Sequence, residues 1–138
     1  MENCIYCTNH EKRDSLMIKV VDLKYSEIFL MSDQWHKGRC VVSAKGHYTE
    51  YFQMSPEEVA GFFTEMTKVS QAISNIYKPA KLNFLTLGDN MKHVHMHICP
   101  KYEDKESWGK FFNGFPKEEL TDAEYTSAVE ALKAEILK

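Results

Sequence analysis

The sequence predicts an α+β domain built on an antiparallel sheet of about five strands with two helices. Two observations carry this reading. β-like segments fall in pairs joined by turn residues, and two well-marked helix starts lie in blocks of their own, apart from those pairs.

In chain order, the first pair is Leu16 to Val21 (Leu-Met-Ile-Lys-Val-Val) and Glu27 to Met31, with Asp22 to Ser26 as the turn. Gly38 to Ala44 reads as a third strand, closed by Gly46. Ser55-Pro56-Glu57-Glu58 is a helix start, with Ser as N-cap, Pro at the first helical position and Glu58 completing a capping box. Val59, Phe62, Phe63, Met66, Val69 and Ile73 then recur at helical spacing, so the helix runs to about Tyr77 and stops before Pro79. Its apolar stripe is read as core.

Lys81 to Leu87 is a fourth strand, and a tight Gly88-Asp89-Asn90 turn leads into a fifth, from about Lys92 to Cys99. Residues 100–119 are irregular and aromatic-rich. Thr121 with Glu124 forms a second capping box, which opens a helix running to the C-terminus. No repeat, low-complexity tract or Gly/Ser linker interrupts the chain, so residues 1–138 are expected to form a single domain.

Composition excludes several classes. With 43% hydrophobic and 27% charged residues the chain is neither disordered nor collagen-like. Seventeen Lys+Arg against twenty Asp+Glu leave a formal charge of −3, too little positive field for a general nucleic-acid binder. No apolar run approaches the ~18 residues of a membrane span, and Met-Glu-Asn-Cys does not open like a signal peptide. The expected compartment is the cytoplasm, with its thiols reduced. Four cysteines there point to metal or redox chemistry, and three of the six histidines fall within five residues.

Those three lie in His93-Val94-His95-Met96-His97-Ile98-Cys99. On a strand, alternate side chains share a face, so His93, His95 and His97 project together while Val94, Met96 and Ile98 pack inward. Two chemistries suit such a row. One is metal ligation. The other is nucleophilic attack by a neutral imidazole on phosphorus, its second ring nitrogen held by a fixed acceptor. Cys4 and Cys7 have the spacing of structural zinc ligands and need two more to close a tetrahedral site; the alternative is a free thiol pair.

The His-apolar-His-apolar-His pattern resembles the signature of the histidine triad (HIT) superfamily of nucleotide hydrolases and transferases. Other segments are similar in order: Cys4-Ile5-Tyr6-Cys7, Gly38-Arg39-Cys40-Val41-Val42 with Lys45-Gly46-His47, and Asn83 to Asp89 before the triad and Pro100-Lys101-Tyr102. Together they cover about residues 4–112, and the chain resembles bacterial zinc-containing members similar to diadenosine polyphosphate hydrolases. The resemblance implies a HIT-like fold, a homodimer and a nucleotide substrate, either a dinucleoside polyphosphate or a nucleoside phosphoramidate. It implies that His95 is the nucleophile forming a nucleotidyl-histidine, that His97 contacts phosphate oxygens, and that the His93 carbonyl orients the His95 ring. Asn83 matches a position near phosphate and sugar. Asp33 lies in the ribose-contacting segment, where Ser32 or Gln34 could be the equivalent.

The chain departs from the pattern where Asp89 and Asn90 replace the usual Gln and Ser or Thr, where Arg39 and Cys40 replace Gly-His-type neighbours, and where Lys101 replaces Arg. By the same resemblance, structural zinc would be held by Cys4, Cys7, His47 and His93. Rival readings are a zinc-stabilised nucleotide-binding protein without catalysis and a hydrolase using the histidine row as metal ligands. His10 and His36 read as surface residues and Cys40 as a core thiol. Cys99 shares the parity of the histidines. Trp108, Phe111 and Phe112 either cover the site, form a dimer contact or make a satellite cluster.

Overall fold

A computed structural model describes residues 3–138. Five strands, β1 (Met17–Asp22), β2 (Ser26–Met31), β3 (Cys40–Ala44), β4 (Lys81–Leu85) and β5 (His95–Lys101), form one sheet in the order β1-β2-β3-β5-β4. Every neighbouring pair is antiparallel. Three helices accompany it: α1 (His10–Leu16), α2 (Pro56–Tyr77) and α3 (Asp122–Ile136). The α+β class and the five-stranded antiparallel sheet are as the sequence indicates.

Pairing register decides which residues share a face. Val41 lies opposite His97 and Ser43 opposite His95, while Asn83 lies opposite Cys99. Side chains alternate along each strand, so the odd-numbered residues of β3, β4 and β5 line one face. The even-numbered residues Val42, Met96 and Ile98 join Ile28, Leu30, Phe62, Val69, Ile73, Leu132 and Ile136 in the main core. That core fills the space between the sheet and helices α2 and α3. The histidine face is therefore free of it.

Helix α2 begins as the sequence indicates. The Ser55 hydroxyl accepts the Glu58 N–H at 3.1 Å and the Glu58 carboxylate accepts the Ser55 N–H at 2.9 Å. It ends at Lys78, which takes the left-handed conformation (φ 51°) just before Pro79. Two residues tie α2 to the sheet. The buried Glu65 carboxylate accepts the Ser26 hydroxyl at 2.7 Å and the Tyr25 N–H at 3.0 Å, anchoring the β1–β2 turn. Gly61 lets the Tyr25 ring lie directly on the helix backbone, since a Cβ there would fall 2.1 Å from the ring. Helix α3 opens with the expected reciprocal cap between Thr121 and Glu124.

Four expectations need correction. A third helix, α1, is present; it starts at Asn9, whose side chain accepts the Lys12 N–H, and none of its residues is fully buried. An apolar stripe could not announce it. Second, β5 begins at His95 and not at Lys92, so His93 precedes the strand. Third, residues 86–94 form a wide connection in place of a tight turn. The cause is a competing partner: the Val94 N–H donates to the Tyr48 carbonyl at 2.8 Å, and the Ala44 N–H donates to the Val94 carbonyl at 3.0 Å. These bonds hold the segment beside the residues that follow β3 and away from β4. Fourth, Pro100 and Lys101, expected in the irregular segment, instead complete β5, and residues 102–119 are without helix or strand.

Candidate functional site

His95 and His97 lie on β5 with ring centroids 5.4 Å apart. The Nδ1 of His95 is 2.6 Å from the His93 carbonyl oxygen. A carbonyl only accepts, so Nδ1 carries the hydrogen, and in the neutral ring Nε2 keeps its lone pair. Burial lowers the pKa of His95, with the bond to the His93 carbonyl opposing the shift. Burial first, then the positive charge of Arg39, push His97 down to about 3. Both rings are thus neutral near pH 7. Tyr6, itself buried, packs over both His93 and His95, at centroid distances of 5.0 and 5.4 Å.

His93 faces elsewhere. Its Nε2 donates to the Ala44 carbonyl at 2.8 Å, which leaves the Nδ1 lone pair free. That Nδ1 lies 3.1 Å from His47 Nδ1, 3.5 Å from Cys4 Sγ and 3.4 Å from Cys7 Sγ. Cys7 Sγ is in turn 3.3 Å from His47 Nδ1. The four donor atoms all lie within 4.8 Å of one another. Tetrahedral zinc with bonds of about 2.0–2.3 Å needs ligand separations of roughly 3.3–3.8 Å. Two thiols and two imidazole nitrogens at these distances therefore fit a closed metal site. A histidine ligand whose other ring nitrogen donates to a backbone carbonyl is the usual outer support for such a site. Burial, followed by Cys4, pushes the Cys7 thiol up to about 11, so without a cation this thiol stays protonated. The Cys4 carbonyl also accepts the N–H groups of Cys7, Thr8 and Asn9, folding the segment around its two sulfurs.

The other expected residues are dispersed. Asn83 borders a cleft of about 430 Å³ with Lys81, Lys101, Trp108 and Lys110. Asp89 borders a cleft of about 600 Å³ that also reaches Tyr51, Thr86 and His95, a volume in the range of ligand pockets. Asn90 lies instead in a depression with Cys4 and His47. The Asp33 carboxylate accepts the N–H groups of Trp35 and Glu118, at 3.1 and 3.0 Å, and so ties the loop after β2 to the segment before α3.

His36 is a correction. It is 3% exposed, and its Nε2 meets the buried Ser107 hydroxyl at 2.7 Å. Burial, with Arg39 and Lys101 nearby, lowers its pKa to about 4. His10 is exposed, as expected. Cys40 and Cys99 are fully buried, and burial raises both thiols to about 12. Phe112 is buried, whereas Trp108 and Phe111 are exposed. Sequence reasoning gave no role to two basic residues at the site. The Arg39 guanidinium lies 3.2 Å from His97 Nδ1. Lys101 is buried, and its ammonium donates to the Ser107 and Lys110 carbonyls. Strand parity was the available signal for both.

Comparison with known proteins agrees with the fold. The HIT domain family model matches residues 12–104. The chain is 30% identical to Protein hit of Bacillus subtilis (strain 168) over 113 residues, covering 78% of this chain and 77% of that protein. It is 28% identical over 115 residues to the adenosine 5'-monophosphoramidase hnt1 of Schizosaccharomyces pombe, covering 83% and 86%. Among solved structures, the histidine triad protein blr8122 from Bradyrhizobium japonicum superposes with a TM-score of 0.82 at 22% identity, covering 92% of this chain and 96% of that one. A zinc-bound histidine triad family protein from Mycobacterium smegmatis superposes at 0.69 with 18% identity, over 99% and 94%. The matched span contains the whole sheet and the histidine row, and the chain belongs to the HIT domain family.

Proposed function

We propose that this chain is a nucleotide hydrolase or nucleotidyl transferase acting on a nucleoside phosphoramidate or a dinucleoside polyphosphate through a covalent nucleotidyl-His95. The observation that carries this reading is the 2.6 Å contact between His95 Nδ1 and the His93 carbonyl, which leaves Nε2 as a free nucleophile in a ring kept neutral. The Nε2 lone pair forms a bond to the α-phosphorus while the bond from phosphorus to the leaving amine or phosphate breaks. The leaving group keeps that electron pair, and an amine takes its proton from solvent. The ring becomes positive, and the His93 carbonyl, already bonded to Nδ1–H, stabilises it. Water then attacks phosphorus, the N–P bond breaks, the nucleoside monophosphate leaves, and a proton passes to solvent. His97 and Asn83 supply donors to phosphate oxygens, with Asp33, Asp89 and Asn90 as further nucleotide-side positions. The similarity to an adenosine 5'-monophosphoramidase supports the substrate class.

The Cys4, Cys7, His47 and His93 cluster would hold structural zinc, which supplies cross-linking of the N-terminal segment and no chemistry on phosphorus. A cationic guanidinium at 3.2 Å from His97 Nδ1 disfavours a metal in the histidine row itself. Strand β4 is an edge of the sheet and carries the exposed Phe84, which supports a homodimer. Four free thiols suit the cytoplasm, and no described helix is long and apolar enough to cross a membrane.

The test is incubation with labelled adenosine 5'-phosphoramidate and, separately, diadenosine tetraphosphate, with and without chelator, beside His95→Ala. Labelled protein that still forms with chelator and is absent in the variant is the expected result. Binding without turnover across both substrates would leave the non-catalytic nucleotide-binding reading in its place.

A further inference from the structure

The loop between β2 and β3 is built to hold one cation still. Gln34 is fully buried; its amide donates to the Met31 and Arg39 carbonyls at 2.8 and 3.3 Å, and its oxygen accepts the Gly38 N–H at 2.9 Å. The Met31 N–H donates to the Arg39 carbonyl and the Arg39 N–H to the His36 carbonyl. Gly38 sits at φ +93° against the Tyr77 ring, with a Cβ position 2.7 Å from it. Both neighbours of Arg39 are thereby constrained: Gly38 by that close approach, Cys40 by the first β3 pairing.

The guanidinium projects onto the histidine face. One side rests on the Phe112 ring, 5.0 Å from its centroid. Nη2 lies 3.2 Å from His97 Nδ1, and Nε is buried with no hydrogen-bond partner. Among the described residues no carboxylate comes within ion-pair distance of Arg39. A partly buried guanidinium ordinarily finds a carboxylate, because leaving its buried donors unpaired is costly. Here the enforced neighbour is an imidazole.

A guanidinium has no lone pair to offer and does not deprotonate in proteins, so in this contact it can only donate. His97 Nδ1 must therefore be the acceptor, without a hydrogen, and the neutral ring carries its hydrogen on Nε2. His95 has the opposite form, since its Nδ1–H is spent on the His93 carbonyl. We propose that Arg39 is a positioning residue that holds His97 in the Nε2–H form, so that neighbouring histidines present one lone pair and one donor to the same phosphate. This rests on the nucleotidyl-transfer reading above. Without Arg39, both rings could expose a lone pair, and the phosphate would meet repulsion where it needs a donor.

The test separates positioning from folding. Long-range 15N–1H correlation of the imidazoles in the metal-loaded wild type is expected to show His97 with a bare Nδ1 and a protonated Nε2. Arg39→Met, which keeps bulk without donors, should give a mixture of the two forms. With adenosine 5'-phosphoramidate its kcat should fall roughly 100-fold, the order seen when one preorganised donor is lost, with KM nearly unchanged. Arg39→Lys keeps a donor and should recover part of both signals. Far-ultraviolet dichroism and bound metal should match wild type in the two variants. A protonated Nδ1 on His97 in the wild type overturns the proposal, as does an Arg39→Met protein with unchanged tautomer or unchanged kcat. A wild type that never labels His95 refutes the reaction reading, while the nitrogen spectrum still decides the role of Arg39.

Discussion

Removing the metal should release the N-terminal segment and leave the sheet folded. Ile5 and Tyr6 are 8% and 6% exposed, and they pack with Met17, Phe29 and Val41 in a cluster separate from the main core. Burying two such side chains contributes about 3–6 kcal/mol. Fixing the backbone of residues 4–9 costs roughly 6–12 kcal/mol, so packing alone does not hold the segment in place. The donor set at Cys4, Cys7, His47 and His93 makes up the difference, since structural zinc sites bind with apparent energies of about 10–16 kcal/mol. The assay is hydrogen exchange by mass spectrometry on zinc-loaded protein, with and without chelator, and on Cys4→Ser. Peptides covering residues 3–9 should exchange at nearly the unprotected rate once the ion is gone. Peptides covering β3 and β5 should keep most of their protection. If metal analysis shows the ion removed while the N-terminal peptide exchanges as before, packing suffices and the reasoning is wrong.

Three further outcomes are expected. Gly61→Ala should destabilise by about 1–2 kcal/mol in urea melts, because forcing a methyl into the Tyr25 ring outweighs the gain of about 1 kcal/mol in helix propensity; in a Tyr25→Ala background the same change should become stabilising, and an additive cycle would count against the contact. Glu65→Ala should cost about 2–4 kcal/mol, since it strands the buried Ser26 hydroxyl and the Tyr25 N–H, whereas an effect below about 0.5 kcal/mol would remove Glu65 from the account of the β1–β2 turn. His36 and His97 have pKa values lowered in the fold, so below pH 6.5 the unfolded chain takes up protons that the folded one refuses. Stability is then full above pH 6.5 and declines as pH falls toward about 4, by up to about 1.4 kcal/mol per pH unit for each group. His36→Asn should flatten part of that slope, and an equal slope in both proteins would refute the assignment.

The parts of the fold that read directly from the sequence are those set by neighbours in the chain. Both capping boxes form as the Ser55 and Thr121 spacings indicate, because each closes within three residues. The alternation of His95, Met96, His97 and Ile98 also survives, since it is a property of any extended backbone. What escaped depends on distant partners. His36 looks like a surface residue until Ser107, 71 positions away, closes over it. The wide 86–94 connection is shaped by Tyr48 and Ala44, which no turn rule applied to Gly88-Asp89-Asn90 could include. Helix α1 has no fully buried residue, its one apolar side chain, Leu16, being only partly buried, and so leaves no apolar period to detect. The four-ligand cluster came from family likeness, because spacing alone relates Cys4 to Cys7 and says nothing of His47 or His93.

His93 belongs to two systems through chemically different parts of one residue. Its ring serves the cysteines and the Ala44 carbonyl, while its peptide oxygen serves His95. Replacing the side chain deletes the first role outright, but the peptide oxygen that accepts the His95 Nδ1–H is encoded by no codon and survives every substitution. Of that oxygen, mutagenesis at this position measures only how tightly it is kept in line, mixed with the loss of the ring. Its own share in the chemistry would be reached by editing the backbone itself, for instance by exchanging the 93–94 amide for an ester, which weakens the acceptor and spares the ring but also deletes the Val94 N–H that donates to the Tyr48 carbonyl.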